Sequence, residues 1–209
     1  MMSETIRLPQ FMRDAELRAA SFDEPSNTIE VIWTAGATVR RRSWVDGPFD
    51  EELVVGDKTV RLDRLNLGAP FLNSHNDYDL RSVLGSVMPG TAVLKGGKGY
   101  ASIQLTRRED AAGIVQDIRD GVIRNISVGY KIHAIEKTER KNQVPLFRIM
   151  DWEPLEISAV AIPFDPAAQV RGGKDTELHE CRVVRGDPDL NAVRRIRMMQ
   201  QQRQAGIGR

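Results

Sequence analysis

Asn125-Ile126-Ser127-Val128-Gly129-Tyr130-Lys131-Ile132-His133-Ala134 is the stretch on which the fold turns. Ile126, Val128, Tyr130, Ile132 and Ala134 alternate with Ser127, Gly129, Lys131 and His133, and a period of two sends the two sets to opposite faces of a strand. Ser127 therefore lies opposite the apolar row. Just upstream, Thr106-Arg107-Arg108-Glu109 reads as a capping box, Ala111, Ala112, Ile114, Val115 and Ile118 form an apolar stripe, and Gly121 can close the C-terminus. These signals predict a helix over about 107–120 that feeds into the strand.

Further out, short β-type runs at 29–34, 38–45, 58–62, 70–74, 82–87 and 99–105 are separated by turn signals such as Asp46-Gly47-Pro48, Pro89-Gly90 and Gly96-Gly97. Downstream, a strand pair is expected at 146–151 and 155–162, stopped by Pro163 and Pro166 because proline cannot donate to a ladder. The class is mainly β with flanking helices, α+β, and the spacing points to antiparallel structure. Residues 1–27 read as a polar N-terminal arm with a short helix around 11–20, residues 28–171 as the folded domain with its core ending near Val170, and residues 172–209 as a polar, Arg- and Gln-rich linker or tail carrying a weak helix over 191–204.

Composition narrows the function. A chain of 209 residues with 41% hydrophobic and 28% charged residues is that of an ordinary globular protein with one core. Thirty Lys+Arg against 29 Asp+Glu give a net charge of +1, so the chain as a whole offers no field for nucleic acid or an anionic membrane. A weak nucleic-acid contact is left to Arg194, Arg195, Arg197 and Arg203 of the tail, and a salt-dependent DNA shift lost on deleting 172–209 would establish it. Cys181 is the single cysteine, which excludes an intramolecular disulfide and a cysteine-based zinc cluster. No run reaches the ~20 apolar residues that span a bilayer, and the expected compartment is intracellular.

Histidine is the natural general base near neutral pH, and the chain has three. His179 falls in the polar tail and reads as an exposed surface residue. His133 shares a face with Ser127 but is six residues along the strand, about 20 Å away, and Lys131 is about 13 Å away, whereas proton transfer needs ~3 Å. His75 stands where a β-type run gives way to the polar cluster Asn76-Asp77-Tyr78-Asp79. The third candidate is Glu156, an acid in an otherwise apolar segment that requires a partner to offset its desolvation. Each has a plainer reading when taken alone: His75 as a satisfied structural histidine, Ser127 as a small polar residue on the solvent face of an edge strand, Glu156 as the partner of an arginine. His75, Asp77 and Asp79 as metal ligands would crowd three groups into one loop without a second histidine, so no metal and no cofactor is expected.

Taken together, Phe71-Leu72-Asn73-Ser74-His75-Asn76 with Leu84-Gly85-Ser86-Val87, Arg124-Asn125-Ile126-Ser127-Val128-Gly129-Tyr130, and Leu155-Glu156-Ile157-Ser158-Ala159-Val160-Ala161-Ile162-Pro163 resemble the prohead proteases of tailed bacteriophages, over roughly residues 29–171. The fold of that family is similar to the herpesvirus assembly protease. The resemblance implies a small antiparallel β-barrel, and a serine endopeptidase that cleaves scaffold and capsid precursor proteins, and itself, during head maturation. Its place would be the assembling prohead in the host bacterial cytoplasm, and its partners capsid precursor and scaffold proteins and further copies of itself. By the same likeness Ser127 is the nucleophile, His75 the general base, and Glu156 the residue that orients the imidazole, with Asp151 and Glu153 as rivals. The herpesvirus relatives use a second histidine there, but no other histidine of this chain is well placed. Oxyanion donors would come from backbone amides near Val128 or in the loop after Ile162. The alternative is an inactive capsid-assembly or scaffold protein that keeps the protease fold.

Overall fold

A computed structural model describes residues 4–8, 11–17, 22–43, 47–161 and 179–185. Among these residues twelve strands form one sheet: β1 Glu4–Leu8, β2 Phe11–Leu17, β3 Thr28–Thr34, β4 Thr38–Ser43, β5 Gly47–Leu53, β6 Pro70–Asn73, β7 Val83–Val87, β8 Val93–Lys95, β9 Lys98–Leu105, β10 Asn125–Thr138, β11 Leu146–Ala159 and β12 His179–Arg185. Among the described residues two short α-helices accompany them, α1 Asp63–Asn66 and α2 Ala112–Arg119. The class is thus mainly β with few helices. The order along the sheet is β1-β12-β10-β2-β3-β9-β7-β6-β11-β5-β4, with β8 on β9, and an additional pairing joins β10 to β11. As ordered, the sheet is not closed.

The alternation in the opening stretch is realised from Ile126 to Ile132, after which register shifts on either side of Ala134 interrupt it and Ile135 joins the core. Ile126, Val128, Tyr130 and Ile132 enter the core, and Val115 and Ile118 of α2 pack into the same cluster. A trio of aromatic rings lies at its centre: Trp152 meets Trp33 edge-on at 5.9 Å and Tyr130 edge-on at 5.5 Å, separations at which the edge of one ring is attracted to the face of the next. The polar ends of two of these rings bind β5 and the segment after it. Trp152 Nε1 donates to the Val54 carbonyl at 3.0 Å, and the Tyr130 hydroxyl donates to Glu51 at 2.7 Å. Glu51 is also held by Arg41 of β4 at 3.1 Å, so this buried charge is paired.

Several expectations are corrected. Residues 11–17, expected as a helix, are the strand β2, which pairs with β10 from Asn125↔Glu16 to Tyr130↔Phe11. A sheet partner overrides a weak local helix signal. Residues 58–62 are a turn followed by a single bridge, Val60↔Trp152, because the Thr59 hydroxyl bonds back to the carbonyls of Val54 and Gly56 and curls the chain toward α1. The helix expected from 107 begins later. The Thr106 hydroxyl accepts from the Arg108 amide, a single 3-10 turn covers Glu109–Ala111, and α2 follows.

The strands expected at 146–151 and 155–162 are one strand, β11, that passes through Pro154. The register steps from Gly129↔Glu156 to Tyr130↔Pro154, so Leu155 is an extra residue, and such a bulge is where a strand tolerates a residue with no N–H. Residues 179–185, expected as polar linker, are β12, antiparallel to β1 and parallel to β10. The sheet is also less uniformly antiparallel than expected, since β11 runs parallel to both β5 and β6. Pro163, Pro166 and the weak helix at 191–204 lie outside the described residues.

Two consequences of this packing are measurable. A Cβ on Gly85 would stand 2.3 Å from the backbone oxygen of Gln104 in the neighbouring β9, so Gly85→Ala should cost about 1–3 kcal/mol in a urea unfolding experiment. Burial pushes the Cys181 thiol up to about 12, so at pH 8 only on the order of one in 10⁴ is thiolate, and iodoacetamide should modify it only on unfolding.

Candidate active site

The long β10–β11 ladder sets two rows of side chains across from each other. Ser127 is opposite Ser158 and Gly129 is opposite Glu156. Directly opposed residues of a ladder point to the same side, at ~4.5–5.5 Å between Cβ atoms, so Ser127, Ser158 and Glu156 share the face away from the apolar row. β10 is an interior strand, flanked by β2 and β11, so Ser127 does not sit on an edge strand facing solvent. It is 1% exposed, and its hydroxyl has no hydrogen-bond partner. Gly129, two residues along, leaves that face without a side chain next to the carboxylate.

His75 reaches this face from the other side of β11. β6 runs parallel to β11 with Leu72 at Ser158 and Asn73 at Ala159, and the chain then turns sharply. The Asn76 amide donates to the Asn73 carbonyl at 3.1 Å, and the two residues between, Ser74 and His75, have φ of 55° and 58°. Positive φ at both central positions is the signature of a type I′ turn, which costs a non-glycine residue roughly 1–2 kcal/mol at each position. The cost is met by bonds to β11. The Ser74 amide donates to the Ala159 carbonyl at 2.9 Å and the His75 amide to the Ser158 hydroxyl at 3.1 Å.

The turn aims the imidazole at the acid. His75 Nδ1 lies 2.7 Å from Glu156 Oε1, with the side chains 15% and 8% exposed. An ionised carboxylate only accepts, so Nδ1 carries the proton in this pair, and Nε2 is the ring nitrogen left for other chemistry. Glu156 Oε2 accepts from the Ser158 hydroxyl at 2.5 Å. Both carboxylate oxygens are therefore engaged, as burial of the group demands.

The other candidates are engaged elsewhere. Asp151 is bound at both oxygens by Arg61, at 2.7 and 2.6 Å, and Glu153 lies 3.3 Å from His133 Nε2. Asp79 caps the turn that starts at Leu80 and pairs with Arg81, which holds it well below the usual carboxylate range. Among the described residues no group of three or more His, Cys, Asp and Glu could hold a metal ion, and no helix is long and apolar enough to cross a membrane. His179 belongs to β12. Val128 pairs on both edges, with Ile157 and with Arg13, which in a regular ladder commits its amide. The loop after Ile162 lies outside the described residues.

The part of Ser158 and the left-handed turn at His75 are not among the sequence-based expectations. The alternation Glu156-Ile157-Ser158 was the available signal for the first. For the second, Asn73-Ser74-His75-Asn76 contains no glycine, the usual mark of such a turn.

Residues 43–181, more than half of the chain, match the family model described as caudovirus prohead serine protease. Over 114 residues the chain is 27% identical to the major capsid protein of Halomonas phage phiHAP-1, covering 54% of this chain and 18% of that protein. Over 141 residues it is 28% identical to the capsid polyprotein of Pseudomonas phage PAJU2, covering 63% of this chain and 19% of that protein. The chain thus spans less than a fifth of the length of these two relatives. Among solved structures it aligns with the bacteriophage T4 capsid assembly protease gp21 at 13% identity and a TM-score of 0.41, over 78% of this chain and 97% of that one.

The strained turn makes its own prediction. Ser74→Gly should leave stability unchanged or raise it by up to about 1 kcal/mol, because glycine escapes the left-handed penalty and loses part of the gain to chain entropy. Ser74→Val, branched at Cβ, should cost at least about 1 kcal/mol. A denaturation midpoint at or above that of the wild type for the first and below it for the second would bear this out.

Proposed function

The chain belongs to the caudovirus prohead serine protease family, and on that premise we propose that it is a serine endopeptidase with Ser127 as nucleophile, His75 as general base and Glu156 as the acid that orients the imidazole. The observation that carries this reading is the 2.7 Å contact between His75 Nδ1 and Glu156, which fixes the tautomer whose Nε2 can accept a proton from an alcohol. The commitments of Asp151 to Arg61 and of Glu153 to His133 support Glu156 over its two rivals.

Ser127 Oγ attacks the carbonyl carbon of the scissile peptide while its proton passes to His75 Nε2. The tetrahedral intermediate collapses with transfer of that proton to the leaving amine, giving an acyl-enzyme and a free amine. Water then repeats the two steps, and a carboxylic acid and the original serine result. Glu156 stays ionised throughout and stabilises the imidazolium. An extended substrate suits a site lined by strands.

The proposed substrates are scaffold and capsid precursor proteins cut during head maturation inside the assembling prohead in the host cytoplasm, with self-cleavage as a further reaction. The relatives named as capsid proteins support a partner of that kind. Association with further copies of the chain belongs to the same proposal. The strand succession β10-β2-β3-β9-β7-β6-β11, together with the β10–β11 pairing, supports reading these seven strands as the small barrel that the family likeness implies.

Co-expression with a capsid precursor tests the proposal. Wild type should cleave it, Ser127→Ala and His75→Ala should not, and Glu156→Ala should lose on the order of 10³-fold or more, while Asp151→Ala and Glu153→Ala stay within about tenfold of wild type. Equal cleavage by all would remove this site from consideration. Binding of the precursor by every form, with cleavage by none, would put the inactive assembly protein in its place.

A further inference from the structure

Ser158 is fully buried, at 0% exposure, and sits directly across the ladder from Ser127. Its one hydroxyl makes two bonds. It donates to Glu156 Oε2 at 2.5 Å and accepts the His75 amide at 3.1 Å. A serine hydroxyl has one proton and two lone pairs, so both bonds are made at once without conflict. The first occupies the carboxylate oxygen that His75 does not use and fixes the rotation of that carboxylate. The second ties down the backbone of His75 itself, in a turn where two successive side-chain-bearing residues hold positive φ.

One atom thus fixes both ends of the His75–Glu156 contact. We propose that Ser158 is a positioning residue of the site, setting the imidazole relative to the Ser127 hydroxyl through the carboxylate and the turn. The inference rests on the catalytic reading given above. A hydroxyl whose only task was to satisfy a buried carboxylate would affect stability and leave the reactivity of Ser127 untouched.

A fluorophosphonate separates the two, because it reports an activated serine without a peptide substrate: the Ser127 Oγ–P bond forms as fluoride leaves and the serine proton passes to His75. In the 209-residue chain, well below the melting temperature of every variant, Ser158→Ala should be labelled on the order of 10²-fold more slowly than wild type. Ser158→Thr, which returns the hydroxyl, should recover most of that rate. Should the extra methyl of threonine fail to fit, a double-mutant cycle gives the same answer: with Glu156→Ala already present, adding Ser158→Ala should slow labelling by much less than the roughly hundredfold it costs alone, because only the bond to the turn is left to lose. A folded Ser158→Ala labelled at the wild-type rate, or losses that multiply in the double variant, would overturn the positioning role and leave the catalytic assignment standing. Wild-type protein labelled no faster than Ser127→Ala would overturn both.

Discussion

The register between β10 and β11 is the constraint on which the rest depends. A ladder of two fourteen-residue strands fixes Ser127 against Ser158 and Gly129 against Glu156, and a slip of one residue would turn the acid and Ser158 into the core. The register is held from the apolar side. Tyr130 and Trp152 are fully buried and packed edge-on, and both anchor to β5 or its continuation through their polar ends. Core packing and site geometry are two faces of one ladder.

The bulge at Pro154 and Leu155 lets one strand serve both faces. N-terminal to it, β11 contributes Trp152 to the core and aligns Asp151 with Arg61. C-terminal to it, Ile157 enters the core while Glu156 and Ser158 face the histidine turn. Proline in an interior strand would break a regular ladder. Here the irregularity falls two residues before the acid, as expected where a strand must re-aim a side chain.

His75 is supplied to this frame at a conformational cost. Two left-handed residues in succession persist only where their surroundings hold them, and the bonds from the turn to Ala159 and Ser158 do so. Each of the three candidate acids has its own partner: Glu156 has His75, Asp151 has Arg61, and Glu153 has His133. With the two rivals occupied, one acid is left to the histidine of the turn.

Part of this arrangement is legible in the amino-acid sequence. Period-two alternation from Ile126 to Ile132 is enforced by strand geometry itself, so the face of Ser127 followed from the residues alone, as did a helix ahead of it, whereas the pairing of His75 with Glu156 was implied only by the family likeness. The strand β5 was hidden because Asp50, Glu51 and Glu52 mask the alternation of Phe49, Glu51 and Leu53, and Glu51 is buried only because Arg41 and Tyr130 meet it. β2 and β12 gain their strand form from β10, a partner far away in the chain. Which acid meets His75, the left-handed turn that presents the ring, and the two hydrogen bonds of the Ser158 hydroxyl are likewise decided by tertiary structure. Local sequence fixes which way a side chain points from its own strand, and only the register between distant strands fixes what it meets.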